Sequence, residues 1–121
     1  MARGDMAVDT LSIATEVEIL NRKENEAVAM TVDFTGVTGG VVRAGTPVSK
    51  LGVPVTATPW TGAVGILMHD VYPDRPQAAC LKKAYINVTR AQANSGLTYD
   101  AALTTALNAA GCRIVLEDPI V

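Results

Sequence analysis

The chain has 121 residues, a length that suits one domain with a single core and needs neither disulfide nor metal to fold. Hydrophobic residues make up 49% of it and aromatics 4%, so the core is built from Val, Ile, Leu, Ala and Met, and only Trp60, Phe34, Tyr72, Tyr85 and Tyr99 are there to supply stacking platforms for single-stranded nucleic acid, which argues against such binding. Ten basic residues against twelve acidic ones give a net charge of −2, which leaves counterion-release binding to nucleic acid no basic segment, and the 18% of charged residues is sparse enough to imply apolar surface covered by a partner or by further copies.

Residues 1–12 mix polarity without periodicity. Met6, Val8 and Leu11 are separated by small or acidic residues, and the segment reads as an extended arm ahead of a single domain over residues 13–121. The arm lacks the apolar stretch of a secretion signal, and no run of about 18 apolar residues follows anywhere, so synthesis in a cytoplasm and no membrane span are expected. From Ile13 the pattern alternates, with Ile13, Thr15, Val17 and Ile19 against Ala14, Glu16 and Glu18, which predicts a half-buried strand. Residues 21–26 are polar and read as a turn. A second alternating run sets Val28, Met30, Val32 and Phe34 against Ala27, Ala29, Thr31 and Asp33. It ends in a segment containing Gly36, Gly39 and Gly40, read as a hairpin connection.

Residues 41–43 read as a short strand that enters a tight turn through Gly45 to Val48. Pro54 makes any strand over residues 51–57 irregular or peripheral. Residues 58–62 form a loop holding Trp60. This residue lies outside the alternating strands, and its enrichment at interfaces favours a place against a partner over one beneath the loop. Residues 63–68 are continuously apolar and predict a buried strand, and residues 78–89 predict a long one. One helix stands out: Thr98 as N-cap, Asp100 in the first turn, Leu103, Ala106, Leu107 and Ala110 at helical spacing, and Gly111 at C′. Residues 112–116 read as a last strand. The order gives a mainly β (α+β) class: a compact small β-domain with one short helix, preceded by an extended N-terminal arm.

No catalytic, cofactor-binding or metal-binding residue is assigned. His69, the single histidine, sits beside Asp70, but neighbours on a strand point to opposite faces and cannot orient one another. Ser12, Ser49 and Ser95 lie in no nucleophile elbow. The glycines of residues 36–40 precede no Lys-Ser or Lys-Thr pair and open no helix, so they form no phosphate cradle. Cys80 and Cys112 are not spaced as metal ligands and are expected to be reduced and buried. A competing reading, a small ligand-binding β-domain, would rest on His69, Asp70 and Asp74 near Tyr72.

Two segments carry a resemblance. Val42-Arg43-Ala44-Gly45-Thr46-Pro47-Val48, followed by Thr61-Gly62-Ala63-Val64-Gly65-Ile66-Leu67-Met68-His69-Asp70-Val71, resembles the lambda-type head decoration proteins of tailed phages and the related head-fibre base proteins. The long strand over residues 78–88, the helix ending Ala106-Leu107-Asn108-Ala109-Ala110-Gly111 and the pair Ile114-Val115 follow in the same order. The likeness spans about residues 41–116, and the chain before Thr38 departs from the shortest members. The resemblance implies a non-enzymatic, cofactor-free homotrimer on the outer surface of an expanded capsid, hence a place in the virion. It also implies an N-terminal arm, with Met6, Val8, Leu11 and Ile13, that docks onto the major capsid protein. A head-fibre base is the alternative within the same family.

Overall fold

In the computed structural model, which describes residues 18–118, the element order is β1 (Leu20–Thr31), β2 (Pro47–Ser49), β3 (Ala63–Leu67), β4 (Gln77–Asn87), α1 (Val88–Ser95), α2 (Ala101–Ala109) and β5 (Arg113–Glu117). The fold is mainly β. Strand β4 organises the sheet. Along one side it pairs antiparallel with β1, from Leu20↔Ile86 to Thr31↔Gln77. Its other side is divided: Leu81 and Cys80 pair antiparallel with Ile66 and Leu67 of β3, while residues 83–87 pair in parallel with β5. Strand β2 lies outside β3, giving the path β1-β4-β3-β2.

A bulge on β4 lets Leu81 share one core with Ala84 and Ile86, while its neighbour Cys80 faces a second core by ordinary alternation. Between the pairs Glu26↔Lys83 and Ala27↔Leu81, β4 carries one extra residue, Lys82. This resets the alternation. Leu81, Ala84 and Ile86 thereby join Ile19, Trp60, Ile66, Leu103, Leu107 and Ile114 in one cluster, beneath the helices. Cys80 joins Val32, Val42, Val48, Leu67 and Val71 in a second. Leu81 and Cys80 are both 0% exposed. Each fully buried Leu or Ile contributes about 1.5–3 kcal/mol. Gly65 permits the two strands to approach: a Cβ there would lie 2.6 Å from the Leu81 carbonyl oxygen and against the Cys80 sulfur.

Both helices are capped by side chains. The Asn87 side chain accepts from the Arg90 N–H at 3.1 Å, and α1 stops at Gly96 in the left-handed region. Asp100 accepts from the Leu103 N–H at 3.1 Å, and α2 is followed by Gly111 at φ 84°, the C′ glycine expected.

Several expectations need correction. The domain has two helices where one was expected, because Asn87 caps a new helix where the β-branched Val88 and Thr89 read as more strand. Asp100, placed in the first turn by the sequence reading, is itself the N-cap in place of Thr98. The polar residues 21–26 lie within β1, and there the register jumps: Leu20 pairs with Ile86 but Asn25 pairs with Ala84, so the stretch between bulges from the ladder. The glycines of residues 36–40 do not close a hairpin, since β1 pairs with β4 and Val42 bridges Val71. That single bridge stands where a short strand over residues 41–43 was expected.

Trp60 is also corrected. It is 2% exposed, and its indole N–H donates to Asp100 Oδ1 at 2.7 Å. Its surface is already spent in this chain's own core, so it cannot serve a partner.

Candidate functional site

The motif residues behind the resemblance are tied together by one carboxylate. Asp70 Oδ1 accepts from the Ala44 N–H at 2.7 Å and from Asn94 Nδ2 at 3.0 Å, while Oδ2 accepts from Arg43 at 3.2 Å. Asn94 also donates to the Ala44 carbonyl at 3.1 Å. One side chain thus joins the turn before β2, the segment after β3 and helix α1. Beside it, Gly45 sits at φ 96°, where a Cβ would come within 2.9 Å of the Ala91 carbonyl oxygen. The Tyr99 hydroxyl donates to the Gly45 carbonyl, and burial pushes the phenol well above its ordinary range.

The candidate chemical groups are occupied in the same way. His69 is exposed, and the Asp70 oxygens face Ala44, Asn94 and Arg43, so the His69–Asp70 neighbours form no base–orienter pair. Ser49 Oγ accepts from the Val53 N–H at 3.2 Å, and Ser95 Oγ donates to the Ala91 carbonyl at 2.7 Å. Ser12 lies outside the described residues. Cys80 and Cys112 are free and buried, as expected. Burial pushes the Cys80 thiol up to about 11, and Cys112 Sγ donates to the Val64 carbonyl at 2.9 Å. Among the described residues, no three His, Cys, Asp or Glu side chains gather as a metal site, and no helix is long and apolar enough to cross a membrane.

What the described surface offers is apolar contact. Strand β1 ends the sheet, and its outer edge is unpaired among the described residues. Val28 on that strand is 47% exposed. A shallow groove of about 330 Å³ runs beside it, lined by Ala27, Ala29, His69 and Ala78. Leu51 is 80% exposed and Val53 43%, on a turn braced by Gly52, whose N–H donates to the Ser49 carbonyl at 2.9 Å. A second groove, of about 560 Å³, lies between residues 61–64 and the Ala102, Ala106 and Ala109 face of α2, and carries no charged residue.

Of the residues singled out in the sequence, Met6, Val8, Leu11 and Ile13 lie outside the described residues, and Trp60 is internal. Sequence reasoning missed Val28 and Leu51. The alternation at residues 28–34 put Val28 on the same face as Val32, which is 2% exposed, and nothing in a linear pattern says that the strand's other side lacks a neighbour. No family model, no curated protein and no solved structure matches the chain.

Proposed function

We propose that this chain is a non-enzymatic structural subunit that decorates the outside of a tailed-phage head as a homotrimer and grips the major capsid protein with its N-terminal arm. The observation that carries this reading is the second half of the β1 edge, residues 27–31, which is uncharged and unpaired on its outer side among the described residues, with Val28 half exposed, in a chain whose polar motif residues are engaged in holding the fold. The resemblance of residues 41–116 to head decoration proteins points the same way. So does the low charge, which suits a permanent subunit interface.

Binding by an extended arm needs little more than backbone pairing and a few apolar side chains. Each backbone hydrogen bond contributes only about 1 kcal/mol net. A single arm is therefore weak, and three arms held on one trimer bind with avidity. Two measurements test the reading: native mass, and co-sedimentation with expanded heads that lack their decoration. The expected mass is three times the 12.6 kDa of one chain, and removal of residues 1–12 is expected to leave a folded trimer that no longer sediments with heads. A monomer that ignores heads, or a truncated trimer that saturates them with unchanged affinity, overturns it.

A further inference from the structure

Edge strands of natural sheets are protected by charges, proline or bulges. Strand β1 is protected over only its first half. Arg22, Lys23, Glu24 and Glu26 and the register jump guard the part near Leu20, whereas Ala27, Val28, Ala29, Met30 and Thr31 run straight along β4 with no charge, no proline and no bulge. Among the described residues, these five present an open backbone edge, an exposed valine and the shallow groove beside it.

The chain outside the described residues supplies a matching occupant. Residues 13–17, Ile-Ala-Thr-Glu-Val, contain neither Gly nor Pro, and three of the five are β-branched. Five extended residues span about 17 Å, the length of the unguarded stretch. The direction of the chain identifies the copy that they serve. Ile19 is 0% exposed, its carbonyl accepts from the Asn87 N–H at 2.8 Å, and the Glu18 carbonyl accepts from Arg90 at 3.3 Å. Residues 18 and 19 therefore lie at the Ile86–Asn87 end of β4, the end away from residues 27–31 of the same subunit.

We infer that residues 13–17 of one copy pair with the β1 edge of the next copy over residues 27–31, closing the ring by strand exchange and leaving residues 1–12 for the shell. The inference rests on the trimeric reading above and deepens it. A head-to-tail contact of this kind closes into a ring when the rotation per copy allows. Ile13 and Val17, two apart from Thr15 on one face of an extended segment, would continue the apolar strip of Val28 and Met30.

The test uses the full-length chain and two point variants, Val28→Lys on the edge and Val17→Asp on the segment. Sedimentation velocity and amide hydrogen exchange at residues 27–31 are measured on each, with circular dichroism to confirm that the domain stays folded. The expected result is a wild-type trimer with slowly exchanging amides at residues 27–31. Either variant should raise the subunit concentration needed for assembly by about tenfold or more and release those amides. Variants that assemble like wild type, or amides that exchange as freely in the wild-type trimer as in Val17→Asp, overturn this inference alone. Wild-type trimers that ignore heads overturn the decoration reading alone. A monomeric wild type overturns both.

Discussion

Replacing Asp70 with alanine removes the acceptor shared by three donors and strands one of them, the Ala44 N–H. The side chain of Asp70 is 12% exposed and that of Arg43 is 50% exposed, while Ala44 is 1% exposed. The Ala44 N–H, 2.7 Å from Oδ1, is buried and has no water to turn to. Leaving such a group without an acceptor costs about 1–3 kcal/mol. Asn94 loses a charged acceptor but keeps the Ala44 carbonyl, a further loss of about 1 kcal/mol. The Arg43 pair, half in solvent, adds about 0–1 kcal/mol. The expected destabilisation of Asp70→Ala is therefore roughly 3 kcal/mol, a fall in Tm on the order of 10 °C for a domain of this size. Asp70→Asn retains an oxygen for the Ala44 N–H and should cost about 1 kcal/mol. Urea unfolding followed by circular dichroism measures both. If Asp70→Ala unfolds within about 0.5 kcal/mol of wild type, or no worse than Asp70→Asn, the carboxylate is not the tie between the two motif segments and α1.

Three further outcomes are expected. Gly65→Ala should destabilise the domain by about 2–4 kcal/mol, because its Cβ meets the Leu81 carbonyl and the Cys80 sulfur in the middle of the sheet; urea unfolding would show it, and a neutral result would mean that β3 and β4 can separate locally. Hydrogen bonds from Arg22 and Asn21 hold the Glu117 carboxyl below its ordinary range, and hydrogen bonds from Trp60 and at the α2 N-terminus do the same for Asp100. A depressed folded pKa means stability that is present above the unfolded value and lost as pH falls through the folded one. The urea midpoint should therefore drop below about pH 4.5, less steeply in Glu117→Gln, and an identical slope in that variant would contradict the assignment. Finally, with Cys80 0% exposed and its thiol pushed up to about 11, a thiol reagent at pH 8 should label Cys80 only after urea is added, and rapid native labelling of that residue would show the second core to be open.

Local signals read well where one element's own pattern decides its state. The continuous apolar run from Ala63 became β3, the helical spacing of Leu103 and Leu107 became α2, and Gly111 took the left-handed position after it. The signals that failed were those in which two local preferences competed. Val88 and Thr89 carry strand propensity, but Asn87 accepts the Arg90 N–H and turns the chain into α1. Trp60 looked like an outward residue because its loop is rich in Thr and Pro; Asp100, forty residues away in sequence, draws its N–H inward.

Alternation, glycine position and capping residues, all short-range, were enough in the sequence alone to determine a mainly β chain of sparse charge with a capped helix near its end. The tertiary structure alone decided that β5 runs parallel beside β4, that Lys82 bulges so that Leu81 shares a core with Ala84 and Ile86, that Asp70 joins three segments, and that, among the described residues, half of β1 has no strand on its outer side. Each of these depends on which distant strand lies alongside, and a period of two residues encodes the faces of a strand without encoding its neighbours.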